Sequence, residues 1–256
     1  MQTTLFQTDK TRDVQSHTQT SDSLLLIAHL DELRELSTCL TASAIETFSL
    51  RPFNAGFADS SIRCQFKELP PVVGYAATAH VRSARLPIDR HGYSYYDRTH
   101  WWKQILTIFA PRIVVIEDLD EPAGLGAFVG AVHAHILQAL GCVALVTNGS
   151  VRDIAEIHET GFQLFASNVA VSHAYSHVID FGSTVCVGGL EIAPGDLVHG
   201  DLHGVQTIPL EIADKVPAVA REILKRRKRL MDLCRSNDFS VEKLEQLIKQ
   251  EEGSKV

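Results

Sequence analysis

The stretch Cys142-Val143-Ala144-Leu145-Val146-Thr147-Asn148-Gly149-Ser150-Val151-Arg152-Asp153-Ile154 decides how this chain is read. Its first five residues form an apolar run of the kind that fills a buried parallel strand. Thr147-Asn148-Gly149 reads as the strand's end, and a helical pattern opens near Asp153 with Ile154, Ile157 and His158. Strand-to-helix junctions are where α/β folds place their ligands. Arg152 can hold a carboxylate or an enolate oxygen through two parallel donors, and Asp153 offers a hard oxygen to a divalent cation. The same pair also suits a surface ion pair at a helix start, where Asp is common.

Working outward from that junction, strands and helices alternate. Residues 24–36 carry Leu26, Leu30, Leu33 and Leu36 at helical spacing, and a second helix is expected over residues 41–50, before Pro52. Residues 72–79 form a strand of small side chains, and 89–96 a polar connection. A helix over 101–109 leads through Pro111 to a strand at 113–118. The segment from Gly124 to Gly130 reads as a glycine-punctuated turn entering a helix that ends near Leu140. Beyond the central junction come a strand at 162–166 and a hairpin about Gly188-Gly189. Two turn-strand units follow between Pro194 and Pro209. Amphipathic stripes then run through Val216, Val219, Ile223, Leu224, Leu230 and Met231 and through Val241, Leu244 and Leu247. This order predicts an α/β fold with both parallel and antiparallel pairing. The expected organisation is a polar extension over 1–23, an α/β domain over 24–209 and a helical tail over 210–256 that packs on the domain or a neighbouring subunit.

Composition narrows the function classes. The 256 residues are 45% hydrophobic, enough for a sizeable core, and the net charge of −7 argues against a general nucleic-acid binder. No apolar run approaches the ~20 residues of a membrane span. The first 23 residues have no secretory apolar core. Five widely spaced cysteines suit buried thiols in a reducing compartment, so the cytoplasm is the expected location.

Four blocks together resemble the family of the regulator of ribonuclease activity A, the RraA-like family, which includes the 4-hydroxy-4-methyl-2-oxoglutarate aldolases. They are Val73-Gly74-Tyr75-Ala76-Ala77-Thr78-Ala79, residues 113–118, residues 141–153, and Pro194-Gly195-Asp196 with Asp201, Gly204-Val205 and Ile208-Pro209. The resemblance implies a β/β/α swivelling-type fold assembled as homotrimers or homohexamers, with sites between subunits. It implies a carbon–carbon lyase acting on a small 2-oxo acid with a divalent metal, Mg2+ or Mn2+. Carried onto this chain, Asp153 is the metal-side carboxylate and Arg152 holds the 2-oxo oxygen. The helix start after Gly130 presents the amides of Val132 and His133 to the substrate carboxylate. Acidic tail residues such as Glu211 and Asp214 are candidates to complete a neighbour's site.

The chain departs from the family pattern at three positions. Ala131 stands where the lyases carry an acidic residue, Asn148 where they carry an Asp in a strand-ending Asp-Gly, and Ser43 where an early helix carries Asp. Loss of the acidic residue at Ala131 favours decarboxylation of an oxaloacetate-like acid over aldol cleavage, because no hydroxyl need be deprotonated to start it. His133, beside that position, is a candidate replacement acid/base. The pairs His173/His177 and His199/His203 have i, i+4 spacing but no accompanying acid and no confident helix, so structural histidines are favoured. Trp101-Trp102 with Tyr93, Tyr95 and Tyr96 is read as core or subunit packing. Lys225-Arg226-Arg227-Lys228-Arg229 is read as a solvated helix face. The alternative function is a non-catalytic regulator or binding protein on the same scaffold.

Overall fold

The computed structural model describes residues 27–87 and 99–253. The polar extension and Tyr93, Tyr95 and Tyr96 lie outside them. Two helices come first, α1 (Ile27–Arg34) and α2 (Thr38–Glu46). α2 begins three residues earlier than its periodicity suggests, because the Ser37 hydroxyl accepts the Leu40 amide and sets the start there. The strands β1 (Arg63–Cys64) and β2 (Val72–Arg82) precede α3 (Thr99–Ile105), and β3 (Arg112–Asp118) follows. Helix α3 stops short of the expected 109.

β4 (Ala127–Val129) lies inside the segment expected to be a glycine turn, and Gly130 then starts α4 (Ala131–Ala139). β5 (Cys142–Val151) also differs from expectation: it does not end at Thr147-Asn148-Gly149. One extra residue bulges out between Thr147 and Ser150, and pairing resumes with β6 (Gln163–Val169) at Ser150↔Asn168. Between them lies the short α5 (Ile154–Glu159). β7 (His177–Phe181) falls where no element was expected, then β8 (Val185–Val187) and β9 (Leu190–Ile192) form the expected hairpin, with Gly188 and Gly189 both at positive φ. β10 (Leu197–Asp201) and β11 (Gly204–Ile208) close the sheet, and α6 (Val216–Arg235) and α7 (Val241–Gly253) form the helical tail.

The main sheet runs β1-β6-β5-β3-β2-β10-β11, with β4 added to the far end of β5 and β7 to the far end of β2. Its centre, β2-β3-β5-β6, is parallel, and β1, β7, β10 and β11 pair antiparallel. The sheet curls until β6 faces β10. A Cβ on Gly200 would lie 2.6 Å from the Phe165 ring, so only glycine lets the two strands approach. This is the mixed α/β, nearly closed sheet with C-terminal helices that the swivelling-type expectation describes.

Alternate residues of each strand serve the two faces. Ile113, Val115, Ala144, Val146 and Phe165 point inward, under the β8–β9 hairpin. Val114, Ile116, Leu145 and Leu164 point outward, under α3, α4 and α5, where buried Trp101 also sits. A third apolar cluster joins α1, α2 and the start of α6 to β2 and β10. At the carboxyl ends of β4 and β5, beside the start of α4, the Arg152 amide donates to the Val129 carbonyl.

Candidate active site

The bulge in β5 explains Asn148. Its carboxamide accepts the Asp118 amide through Oδ1 (2.7 Å) and donates to the Asp118 carbonyl through Nδ2 (3.0 Å). The regular β3–β5 ladder ends at Ile116↔Thr147, so a side chain continues the pairing where the backbone has bulged away. A carboxylate cannot donate, so an Asp could make only one of these bonds cleanly. Asn148 therefore belongs to the strand rather than to a turn. The signal was the Asn-Gly dipeptide itself, which reads as a turn only while its neighbours across the sheet are unknown.

Asp118 is buried at the end of β3 and its carboxylate accepts the amides of Asp120 (3.1 Å) and Gly124 (2.8 Å). Burial pushes its carboxyl up, against the pull of those two amides. Sequence reading passed over this residue as the last position of a strand. It folds the 118–124 loop back toward β5, where the Ser150 hydroxyl donates to the Gly124 carbonyl.

β5 thus delivers Arg152 and Asp153 beside the start of α4. Asp153 has φ 57 and ψ 41, the left-handed region, which Asp tolerates better than most residues. That turn sends its carboxylate away from its own helix, for which it makes no side-chain cap, and across to α4, where Oδ2 accepts the Ala131 amide at 3.0 Å. Arg152 Nε lies 3.4 Å from the same oxygen. Both side chains are about one-third exposed, 34% and 33%. A Cβ on Gly130 would collide with Asp153 Oδ2 and come within 3.0 Å of Arg152 Nε. Gly130 is therefore fixed by close approach, with φ −129 that any residue could adopt.

The other expected site residues gather here in part. Val132 is exposed at the first turn of α4, and helix geometry points the amides of Ala131, Val132 and His133 out of that end. The His133 ring goes the other way. It is 1% exposed, with Nδ1 3.2 Å from the Phe128 carbonyl and edge contacts to Phe128 and Trp101. Its imidazole thus packs in the outward-facing core, while its amide shares the helix end with Val132. Trp101 is buried and Trp102 packs beside it, in keeping with a packing role.

Among the described residues no three or more His, Cys, Asp or Glu side chains gather as a metal group. Within the described residues Asp153 therefore stands as a single carboxylate. One carboxylate fits an Mg2+-type ion, which keeps most of its waters and takes few protein ligands. The paired histidines lie elsewhere. His199 Nε2 faces the carbonyls of Leu33 and Leu36, and His177 Nδ1 faces that of Tyr175.

The molecule is thus an α/β protein built on a curled mixed sheet, with an Arg-Asp pair set beside the start of a helix. The chain belongs to the RraA-like (Aldolase/RraA) family, whose model matches residues 41–206. A protein of Halalkalibacterium halodurans, provisionally named a 4-hydroxy-4-methyl-2-oxoglutarate aldolase, is 30% identical over 84 residues, 32% of this chain and 40% of its own length. Protein DlpA of Legionella pneumophila is 23% identical over 194 residues, 72% of this chain and 28% of its own length. The chain thus spans well under half the length of these two relatives. Among solved structures, RraAS2 of Streptomyces coelicolor, described as an unusual member of the RNase ES inhibitor RraA family, superposes with TM-score 0.62 at 17% identity, over 80% of this chain and 96% of that one. A protein from Pseudomonas syringae gives 0.64 at 20% identity, over 87% and 98%. At these identities the likeness is one of fold. The family holds both aldolases and ribonuclease regulators. No helix among the described residues is long and apolar enough to cross a membrane.

Proposed function

We propose that this chain is a carbon–carbon lyase that releases pyruvate from a small 2-oxo dicarboxylic acid, closer to an oxaloacetate decarboxylase than to an aldolase. The observation that carries the reading is the partly exposed Arg152–Asp153 pair set against the open end of α4. Asp153 would hold Mg2+ or Mn2+, which when bound supplies Lewis-acid polarisation of the 2-oxo group. Arg152 would bind the 2-oxo oxygen and hold the negative charge that develops there as the bond breaks. The Val132 and His133 amides would hold the substrate carboxylate at the helix start. Both contacts to Asp153 reach Oδ2, so Oδ1 is the oxygen left for the metal in this reading.

Ala131 brings only a methyl group to the position next to these amides. A reaction that starts by loss of CO2 needs no base there, and the enolate it leaves takes its proton at C3 from solvent water, whereas aldol cleavage must first remove a hydroxyl proton. The His133 ring would have to leave its place between Phe128 and Trp101 to move protons, so His133 enters this reading through its amide. We place the protein in the cytoplasm as a homotrimer or homohexamer; its five cysteines are free thiols, Cys64 and Cys142 buried as expected and Cys39, Cys186 and Cys234 exposed instead. The second reading, a non-catalytic regulator, draws on the same Ala131. The test is pyruvate release from a panel of 2-oxo acids, with Mg2+, Mn2+ or a chelator. Metal-dependent release from oxaloacetate is expected; no release from any member with either metal would leave the regulator reading.

A further inference from the structure

One edge of β2 changes partner along its length. Residues 72–75 pair with β10, and residues 79–82 with β7. At the handover the Ala76 carbonyl accepts the Gly195 amide, and the Thr78 carbonyl accepts the Gly182 amide. A small cavity adjoins this place, lined from the sheet side by Thr78, Gly182 and Pro194 and from α3 by Trp101, Gln104 and Ile105. Two of these residues carry buried polar atoms that make no hydrogen bond among the described residues. They are Nε1 of Trp101, a residue 1% exposed, and Oγ1 of Thr78, a residue 2% exposed. Buried polar groups in folded proteins are nearly always paired, with protein or with ordered water, so both atoms point to a partner.

We propose that this cavity is a binding site for one internal water molecule, held by Trp101 Nε1 and Thr78 Oγ1. Its volume, about 10 Å3, is close to the least that admits a water and too small for an organic ligand. The hydrogen-bond capacities match. An indole N–H can only give, so it donates to the water oxygen, and the water gives one proton to the Thr78 hydroxyl oxygen. The Gln104 carboxamide, which both gives and takes, lies over Gly182, where a Cβ would come 3.1 Å from Nε2. It supplies the third partner usual for an internal water. No charged side chain lines the cavity, and Ala77 and Ile105 offer it only apolar surface, so a neutral guest suits it and an ion does not. The water thereby fastens α3 to the sheet where β2 passes from one antiparallel partner to the other.

Two measurements on the full chain test this. A crystal structure at about 1.5 Å resolution should show an oxygen peak about 2.7–3.2 Å from both Trp101 Nε1 and Thr78 Oγ1. No peak, or a peak bonded to one of the two groups alone, overturns the proposal. Thr78→Val keeps the side chain's shape and removes the hydroxyl. With the water in place, the urea midpoint is expected to fall by about 0.3 M. A midpoint that holds or rises overturns the proposal, because an apolar isostere relieves a hydroxyl that had no partner.

Discussion

Asp153 and Asp201 both sit at strand ends and both bind the amide that starts a helix, yet one is sealed and the other open. Asp201, at the end of β10, is 4% exposed and accepts the Thr38 amide, the Thr38 hydroxyl and both the amide and ring nitrogen of His203. Burial pushes its carboxyl up, but the Thr38 hydroxyl and the His203 and Thr38 amides outweigh it and the net direction is down. Asp153 has two contacts, both on one oxygen, and a third of its surface is free. A saturated carboxylate has no capacity left for a ligand and serves as a bolt between β10 and α2. An unsaturated one at the same kind of junction retains the capacity that chemistry needs.

Removing the open pair should act on activity and spare the fold. Arg152→Ala is expected to lower pyruvate release by about a thousandfold, on the order of 4 kcal/mol of transition-state stabilisation, with a melting temperature near the parent's. Equal activity in that variant would erase the distinction between the two aspartates. Asp201→Ala should do the reverse. Leaving the buried amide and hydroxyl of Thr38 without an acceptor costs about 2–4 kcal/mol, read as an earlier urea midpoint, while any activity per folded molecule stays unchanged.

A change between the two regions sharpens the contrast further. Asn148→Asp removes the donor to the Asp118 carbonyl and brings a second carboxylate beside the buried one of Asp118. The expected loss is about 1–3 kcal/mol, smaller at low pH, where either acid can take a proton; a more stable variant at pH 7 would contradict the clasp. The smallest effect belongs to His199 near the bolt. Its Nε2 donates to the Leu33 and Leu36 carbonyls, so Nδ1 carries the lone pair, and burial lowers its pKa from 6.5. Its contribution is complete above about pH 6.5 and falls away as pH drops toward the lowered value, because the unfolded chain takes up the proton first. A second loss follows below 3.8, as Asp201 protonates. Urea midpoints measured from pH 7.5 down to 5.5 should fall, and His199→Gln should flatten that slope.

Much of the architecture could be read from local patterns. The strand at Arg112–Asp118, the Gly188-Gly189 hairpin and both tail helices have the periodicity and turn residues their conformations need. β7 escaped because His177–Phe181 has an irregular burial pattern, and its pairing partner lies about a hundred residues away in β2. β5 was read too short for a related reason. Asn-Gly carries a local turn preference, and only the Asp118 backbone across the sheet turns it into a bulge.

The sequence by itself determined the chemistry on offer, a guanidinium and a carboxylate adjacent at a junction, since residue types and spacing are local properties. The direction of each group was decided only in three dimensions. The left-handed turn at Asp153 and the missing Cβ of Gly130 bring a carboxylate to another helix's amide. His133 was read as a reactive group, yet packing against Trp101 and Phe128 turns its ring into the core. Side-chain direction follows from what lies across the sheet, and that is a long-range contact no local pattern encodes.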